Sequence, residues 1–558
     1  MSQPARSILY RGGVVHSSTD PFAEAILVDD GVVAWLGSDD TAAGLAARAD
    51  RVIDLDGALV APGFVDAHVH TLETGLSSQA VDLSASAGVR SLADALAALH
   101  LGARKLAAED PSGEEVLLAF GWDELSWPEG RAFSRSELDA ACGGRAVYAA
   151  RVDVHSAVIS TALAERAGLD HLPGLAEDGT VTGEAHHVAR DLAQDVTSAR
   201  RTRAYRRALE GWARQGIVGV HEMSAPHVDT RAGLTELMAL TADPANGLPH
   251  VAAYRGELCE TADDARALLA ELPWLTGIGG DLNVDGSLGS RTAALRTPYS
   301  DLMSGPAGEA WYGELYLSAE EVANHLSAVT AVGKQAGFHV IGDRAMDEVV
   351  LGLQVAAQVD GPGALRAAHH RIEHALFVDA NALGVLLLHG VSLSLQPTFG
   401  AVWGGSSGMY ASRLGAVRAG SLLPFADLAG AGVPVAYGSD TPVTPADPWA
   451  GVRAATSHED PDQRVSARAA FRAHTRAGWR LAGLDHTGAG ELRVGAPAHL
   501  AVWRAERLGV QSVPGRLSSW SAEARAGSPL LPDLAPDAAA PECLHTLRDG
   551  VVLFDTFE

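Results

Sequence analysis

Two histidines two residues apart, His68 and His70, stand in the run Ala61-Pro-Gly-Phe-Val-Asp-Ala-His-Val-His70. The apolar stretch Ala58–Ala61 leads through Pro62-Gly63 into Phe64-Val65, which reads as a buried strand. Residues i and i+2 of a strand project to the same face. Two neutral imidazole nitrogens then lie side by side, as a divalent ion such as zinc requires. A bare His-x-His is also a common polar pair at a strand end. What lifts this one above that reading is its Pro-Gly-Phe-Val-Asp lead-in and the recurrence of polar residues at similar stations downstream.

Those stations follow from a strand–helix alternation through the middle of the chain. Short apolar runs (Val147–Ala150, Ile217–Val220, Leu282–Val284, Ala336–Val340, His370–His374, Val391–Leu395 and Val433–Tyr437) alternate with Ala/Leu/Arg/Glu-rich stretches such as Ala157–Ala167 and Ala204–Gln215. About eight such units predict a (β/α)8 TIM-like barrel, α/β in class, whose functional residues sit at the C-terminal ends of its strands. There the sequence offers His68 and His70, then His221, His339, His374 and Asp440. The first sixty residues and the last seventy instead alternate short β-rich runs with Gly, Asp and Ser. A small β-sandwich built from both termini (1–60 and 485–558) is therefore expected beside a barrel spanning 61–484. The regions 110–135 and 400–420 read as long loops over the barrel mouth, with Trp122 and Trp403 as candidate pocket lining. The Pro/Ala/Ser-rich stretch 512–540 reads as a surface excursion.

Composition narrows the function classes. With 558 residues, 47% hydrophobic and 20% charged, the chain is long enough for one large domain and a smaller one. A formal charge of −27 disfavours nucleic acid and anionic membrane surfaces as partners. No run of about 18 apolar residues predicts a membrane span, and the N-terminus lacks a secretory h-region. The distant cysteines Cys142, Cys259 and Cys543 fit a reducing, cytoplasmic setting rather than a disulfide framework. A small molecule is the expected partner. A homodimer is an open expectation, since no interface is legible.

Taken in order, six segments resemble the amidohydrolase superfamily, and within it the amidohydrolase-3 branch that includes N-substituted formamide deformylases. They are Pro62–His70, Arg151-Val-Asp-Val-His155, Asp285-Gly-Ser-Leu-Gly-Ser-Arg-Thr-Ala293, His339-Val-Ile-Gly-Asp-Arg-Ala345, His370–His374 and Gly438-Ser-Asp440. The resemblance spans essentially the whole chain. It implies a metal-dependent hydrolase of a non-peptide C–N bond in an amide, N-substituted formamide or cyclic amide. His68, His70, His339, His374 and Asp440 would hold the metal, with His339 alternatively polarising the scissile carbonyl. Asp440 would act as general base toward a water whose pKa the metal lowers from roughly 15.7 to near neutrality. Zinc is the expected ion, without excluding iron or manganese. Arg151, His155, Asp285 and Arg291 are expected to shape the substrate pocket, though a buried ion pair fixing a loop accounts equally for Arg151. Arg371 and Glu373 would orient ligands.

The chain departs from the branch at two places. Four residues before Asp285, where the branch carries a lysine that can be carbamylated to bridge two metals, stands Asp281. A carbamate from this strand is excluded; Asp281 could replace it as an oxygen ligand, or the site could hold one ion, the count favoured here. The Thr-Gly-x-x-x-Glu pattern becomes Thr182-Gly-Glu-Ala-His-His187, so His187 stands where a carboxylate is usual, as ligand or as pocket residue. Two other readings compete: a deaminase of an aromatic or amidine-type substrate using the same chemistry, and a catalytically silent ligand-binding member, motivated by the two losses.

Overall fold

The computed structural model describes residues 6–302, 310–511, 520–521 and 528–557. Eight parallel strands, hydrogen-bonded in sequence order, make the central barrel. They are β1 (Phe64–Val69), β2 (Ile217–Ser224), β3 (His250–Arg255), β4 (Gly277–Ile278), β5 (Gln335–Val340), β6 (Arg371–His374), β7 (Ser392–Leu395) and β8 (Val435–Tyr437). A parallel bridge between Val69 and Thr441 brings the first strand back to the last. The strands are short and almost wholly buried, because helices cover the outer face while side chains fill the interior. Closure depends on Gly438: a Cβ there would lie 2.6 Å from the backbone nitrogen of His68. The chain leaving β8 can therefore run against β1 and deliver Asp440 beside the histidine pair.

Strands from both ends of the chain share a sheet. Leu59–Pro62 pairs antiparallel with Leu500–Arg504, which pairs with Glu542–Arg548. A second sheet, of Ser7–Arg11, Ala25–Asp29, Val32–Gly37 and Arg51–Asp54, packs on it through Ile8, Tyr10, Ile26, Val60, Val502 and Leu547. The 512–540 excursion falls largely outside the described residues.

The barrel differs from the predicted one in its second unit. Val147–Arg151 is not a barrel strand. It lies in a separate five-stranded sheet with Val81–Asp82, Leu117–Trp122, Ala157–Ile159 and Thr180–Val181, whose own core includes Trp122, Trp127, Phe133 and Leu138. An apolar run followed by a helix looks the same in sequence whichever parallel sheet it joins. The expected loop 110–135 thus contains a strand of this sheet, and His221 belongs to the second barrel strand rather than the third. The predicted strand at 282–284 is also displaced: β4 is Gly277–Ile278, and Asn283 keeps only a bridge to His339. The 400–420 region is helical over Pro397–Trp403, Met409–Leu414 and Ala416–Ala419. Trp122 packs inside the added sheet, whereas Trp403 faces the barrel mouth.

Candidate metal centre

The C-terminal ends of β1, β4, β5, β6 and β8 bring six side chains together. Asp440 Oδ1 lies 3.1 Å from His70 Nε2 and 3.3 Å from His68 Nε2. The Asp281 carboxylate stands among four imidazoles, 3.1 Å from His339 Nδ1, 3.4 Å from His374 Nε2, 3.6 Å from His70 Nε2 and 3.9 Å from His68 Nε2. Three overlapping sets of potential ligands result: His68, His70 and Asp281; His68, His374 and Asp440; Asp281, His339 and His374. Asp281 thus occupies the middle of the cluster rather than its edge, which suits a shared oxygen ligand.

The surrounding residues aim these nitrogens. His68 Nδ1 meets Glu373 Oε2 at 2.8 Å, leaving Nε2 for the cluster. Glu373 is itself gripped by Arg371, which also donates to the Ala67 carbonyl at 2.9 Å. His374 Nδ1 meets Gln396 Oε1 at 2.8 Å, again leaving Nε2 inward. Metal-binding imidazoles are commonly held this way. His374 and Asp440 adopt left-handed backbone conformations, with φ of 66° and 58°. Such conformations cost of order 1–3 kcal/mol in non-glycine residues. Here they turn both side chains into the mouth.

The donor set fits a divalent cation. His68 Nε2, His374 Nε2 and Asp440 Oδ1 are buried without a hydrogen-bond partner among the described residues, and such groups are costly to leave unpaired. Burial works against charging His70 and His339, yet Asp440 and Asp281 respectively outweigh it and pull each up to about 9. His68 is likewise raised, by Asp440, Asp281 and Glu373 against burial. Asp281 and Asp440, despite burial, are held below the usual carboxylate range by these histidines. The cluster draws positive charge, and mixed imidazole and carboxylate ligands suit zinc among other divalent ions.

A cavity of about 370 Å³ opens onto this cluster, with His155, His186, His187, His227, Asn283 and Tyr316 in its walls. His155 packs against His339 at 5.2 Å between ring centroids, and burial and its neighbour push it down to about 3. His187 stacks face to face on His227 at 4.4 Å. It is a wall residue, absent from every ligand set among the described residues. His221 lies deeper, 3.0 Å from Arg371 Nη1. On the other side of the cluster an apolar lobe is formed by Leu376, Phe399, Trp403, Met409 and Tyr410.

Three residues expected in the pocket serve to anchor loops. Arg151 pairs with Asp123 at 3.0 Å, Glu124 at 2.9 Å and Asp153 at 3.3 Å. Arg291 turns to Asp301 at 2.8 Å. Asp285 is fully buried and accepts the backbone N–H groups of Gly342, Ile341 and Ala294 at 2.7–2.9 Å, tying the 286–294 loop to the end of β5. Burial outweighs these donors and pushes it up to about 6. Gln396, which holds His374, was not singled out in the sequence. The signal available was its place directly after a strand and before Pro397, another mouth station.

A parallel barrel with a buried histidine–carboxylate cluster at the C-terminal ends of its strands defines the class: a metal-dependent hydrolase. The chain belongs to the amidohydrolase family, whose amidohydrolase-3 model matches residues 51–554. It is 25% identical over 479 residues to a putative amidohydrolase, YtcJ, of Bacillus subtilis, covering 81% of this chain and 84% of that one. It is 23% identical over 480 residues to an N-substituted formamide deformylase of Arthrobacter pascens, covering 81% and 85%. Among solved structures, an uncharacterized metal-dependent hydrolase from Pyrococcus horikoshii aligns with a TM-score of 0.68 at 25% identity, covering 89% of this chain and 97% of that one. The protein is accordingly an enzyme of the hydrolases acting on carbon–nitrogen bonds. Among the described residues, no helix is long and apolar enough to cross a membrane.

Proposed function

We propose that the enzyme hydrolyses the C–N bond of a small uncharged amide-type substrate, an N-substituted formamide, amide or cyclic amide. The observation that carries this reading is the convergence of His68, His70, Asp281, His339, His374 and Asp440 on one buried point with inward-facing atoms left unpaired. These six residues would hold divalent metal. Asp281, lying between the histidine pair of β1 and those of β5 and β6, favours two ions over the one expected from sequence. Bound there, zinc or a similar ion supplies Lewis-acid activation of a carbonyl and of water.

The chain's own groups divide the remaining work. Asp440 stays anionic at neutral pH, and its Oδ1 lies within the cluster, 3.1 Å from His70 Nε2. It takes the proton from the attacking water and returns it to the departing nitrogen. Glu373 and Gln396 hold His68 and His374 in the required tautomer and orientation. The other charged residues of the cavity wall already have partners: Arg190 is paired with Glu73, and Asp153 with Arg151. Of the wall histidines outside the ligand sets, His155 and His187 are pushed down to about 3 and about 4, chiefly by burial, and His227 meets Asp191 at 3.0 Å. A neutral substrate fits such a wall, with an apolar substituent directed to the lobe of Phe399, Trp403 and Tyr410.

Purified protein would be analysed for metal by mass spectrometry and assayed on N-substituted formamides, linear amides and cyclic amides, following amine and carboxylate release. Metal bound at or above one ion per chain, with turnover abolished in His68→Ala, is expected. Metal-free protein whose His68→Ala variant matches wild-type turnover would overturn the reading. Ammonia as the product would replace it with deamination.

A further inference from the structure

A second cavity, of about 450 Å³, shares no residue with the metal cluster. It is built against β7 and β8 by the helices Phe425–Ala431, Ala467–Ala473 and Arg476–Leu481, and every residue from Val433 to Tyr437 lines it. Its floor is apolar, with Leu395, Phe425, Val433, Val465 and Leu481. Its rim carries Arg472, Arg476 and Arg480, spaced four residues apart. Arg476 pairs with Glu491 at 2.7 Å. The Arg472 and Arg480 side chains meet no acceptor among the described residues and are exposed.

The walls supply a second, independent observation. Ser392 and Tyr437 are 6% and 3% exposed, and both line this cavity. Neither hydroxyl has a hydrogen-bond partner among the described residues. Both lie on the cavity surface rather than sealed in the core, and there they can donate to the acceptor atoms of a ligand. An apolar floor, two free hydroxyls and a guanidinium rim together specify a ligand with an apolar body and an anionic head.

We infer that this cavity is an accessory binding site for an amphipathic monoanion, a carboxylate on a medium-length apolar body. The head group sits among Arg472, Arg476 and Arg480, and the body lies over Phe425, Val433 and Leu481. Because the strand lining the cavity runs on to Asp440 three residues later, an occupant here contacts the element that delivers the general base.

The test is isothermal titration of the full-length, metal-loaded enzyme with octanoate and, as the uncharged control, 1-octanol. Octanoate is expected to bind at about one molecule per chain and at least about tenfold more tightly than octanol, a difference of roughly 1.4 kcal/mol. Arg472→Glu combined with Arg480→Glu is expected to weaken octanoate about tenfold or more and leave octanol within about twofold. Ala469→Trp, at an exposed rim position, is expected to block both without touching the core, and circular dichroism checks that each variant is folded. Equal binding of octanoate and octanol, absence of octanoate binding, or insensitivity to the arginine reversals would overturn the inference. Octanoate binding that is lost in Asp440→Asn but retained in the arginine double variant would place the anion at the metal cluster instead, and would overturn it as well.

Discussion

Two clusters of charged side chains near the barrel mouth are built on opposite terms. In one, Arg151, Arg291 and Arg413 meet Asp123, Glu124, Asp153 and Asp301, so that every carboxylate touches a guanidinium. In the other, Asp281 and Asp440 touch imidazoles alone. Arginine keeps its proton in any protein environment, so the carboxylates of the first cluster are each met by fixed, covalently attached charge. Histidine gives its proton up near neutrality, so the second can exchange protons for a metal ion. Chemically similar inventories of buried charge thus become a clamp in one place and a candidate reaction centre in the other.

The largest expected contrast is catalytic. Asp440→Asn keeps the shape of the side chain and removes the base, and kcat/KM is expected to fall by on the order of 10²–10⁴, with bound metal measured alongside. Turnover within a few-fold of wild type would end the assignment of Asp440 as the proton carrier. In the arginine clamp, Arg151→Met is expected to leave metal content unchanged but to lower stability by about 3–5 kcal/mol, because it strands buried carboxylates. Denaturant unfolding reads that loss, and a drop in bound metal without it would reverse the roles given to the two clusters. A smaller effect is expected between them. Glu373→Gln weakens the hold on His68 Nδ1 and should reduce metal affinity about 10–100-fold, measured by chelator competition.

The contrast was only half legible in the sequence. His68, His70, His339, His374 and Asp440 could be picked out because strand alternation and the C-terminal end of a barrel strand are local patterns. Asp281 could be seen as a replacement, but its central position depends on β4 being only two residues long and on the path of the chain after it. Val147–Arg151 was misplaced because a buried parallel strand carries no mark of the sheet it joins. Arg151 and Arg291 could not be told from substrate-binding arginines, since their partners Asp123, Glu124 and Asp301 lie on loops whose course no periodicity reports. Gln396 escaped for the same reason: its importance is a single contact with His374, 22 residues away.

The finest separation of the two clusters is in their response to pH without metal. Burial disfavours charge on His70 and His339, but the nearby carboxylates outweigh it and bring both from the ordinary 6.5 up to about 9. A group whose folded pKa is raised contributes stability that is complete below its unfolded value and lost as pH climbs through the folded one. Chelator-treated protein should therefore lose stability between pH 6.5 and about 9, and saturating zinc should restore it most at the upper end, where no protons need be displaced. Asp153 behaves in the opposite sense: burial would raise it, but Arg151 prevails and holds it at about 2 against an ordinary 3.8. Its contribution is constant across the alkaline window and fades only as pH falls from about 4 through 2. Thermal melts of wild type and Arg151→Met, with and without chelator, would read both. If the chelator-dependent difference in Tm were flat from pH 6.5 to 9, the histidines would not be exchanging protons for metal, and the distinction between clamp and reaction centre would lose its physical basis.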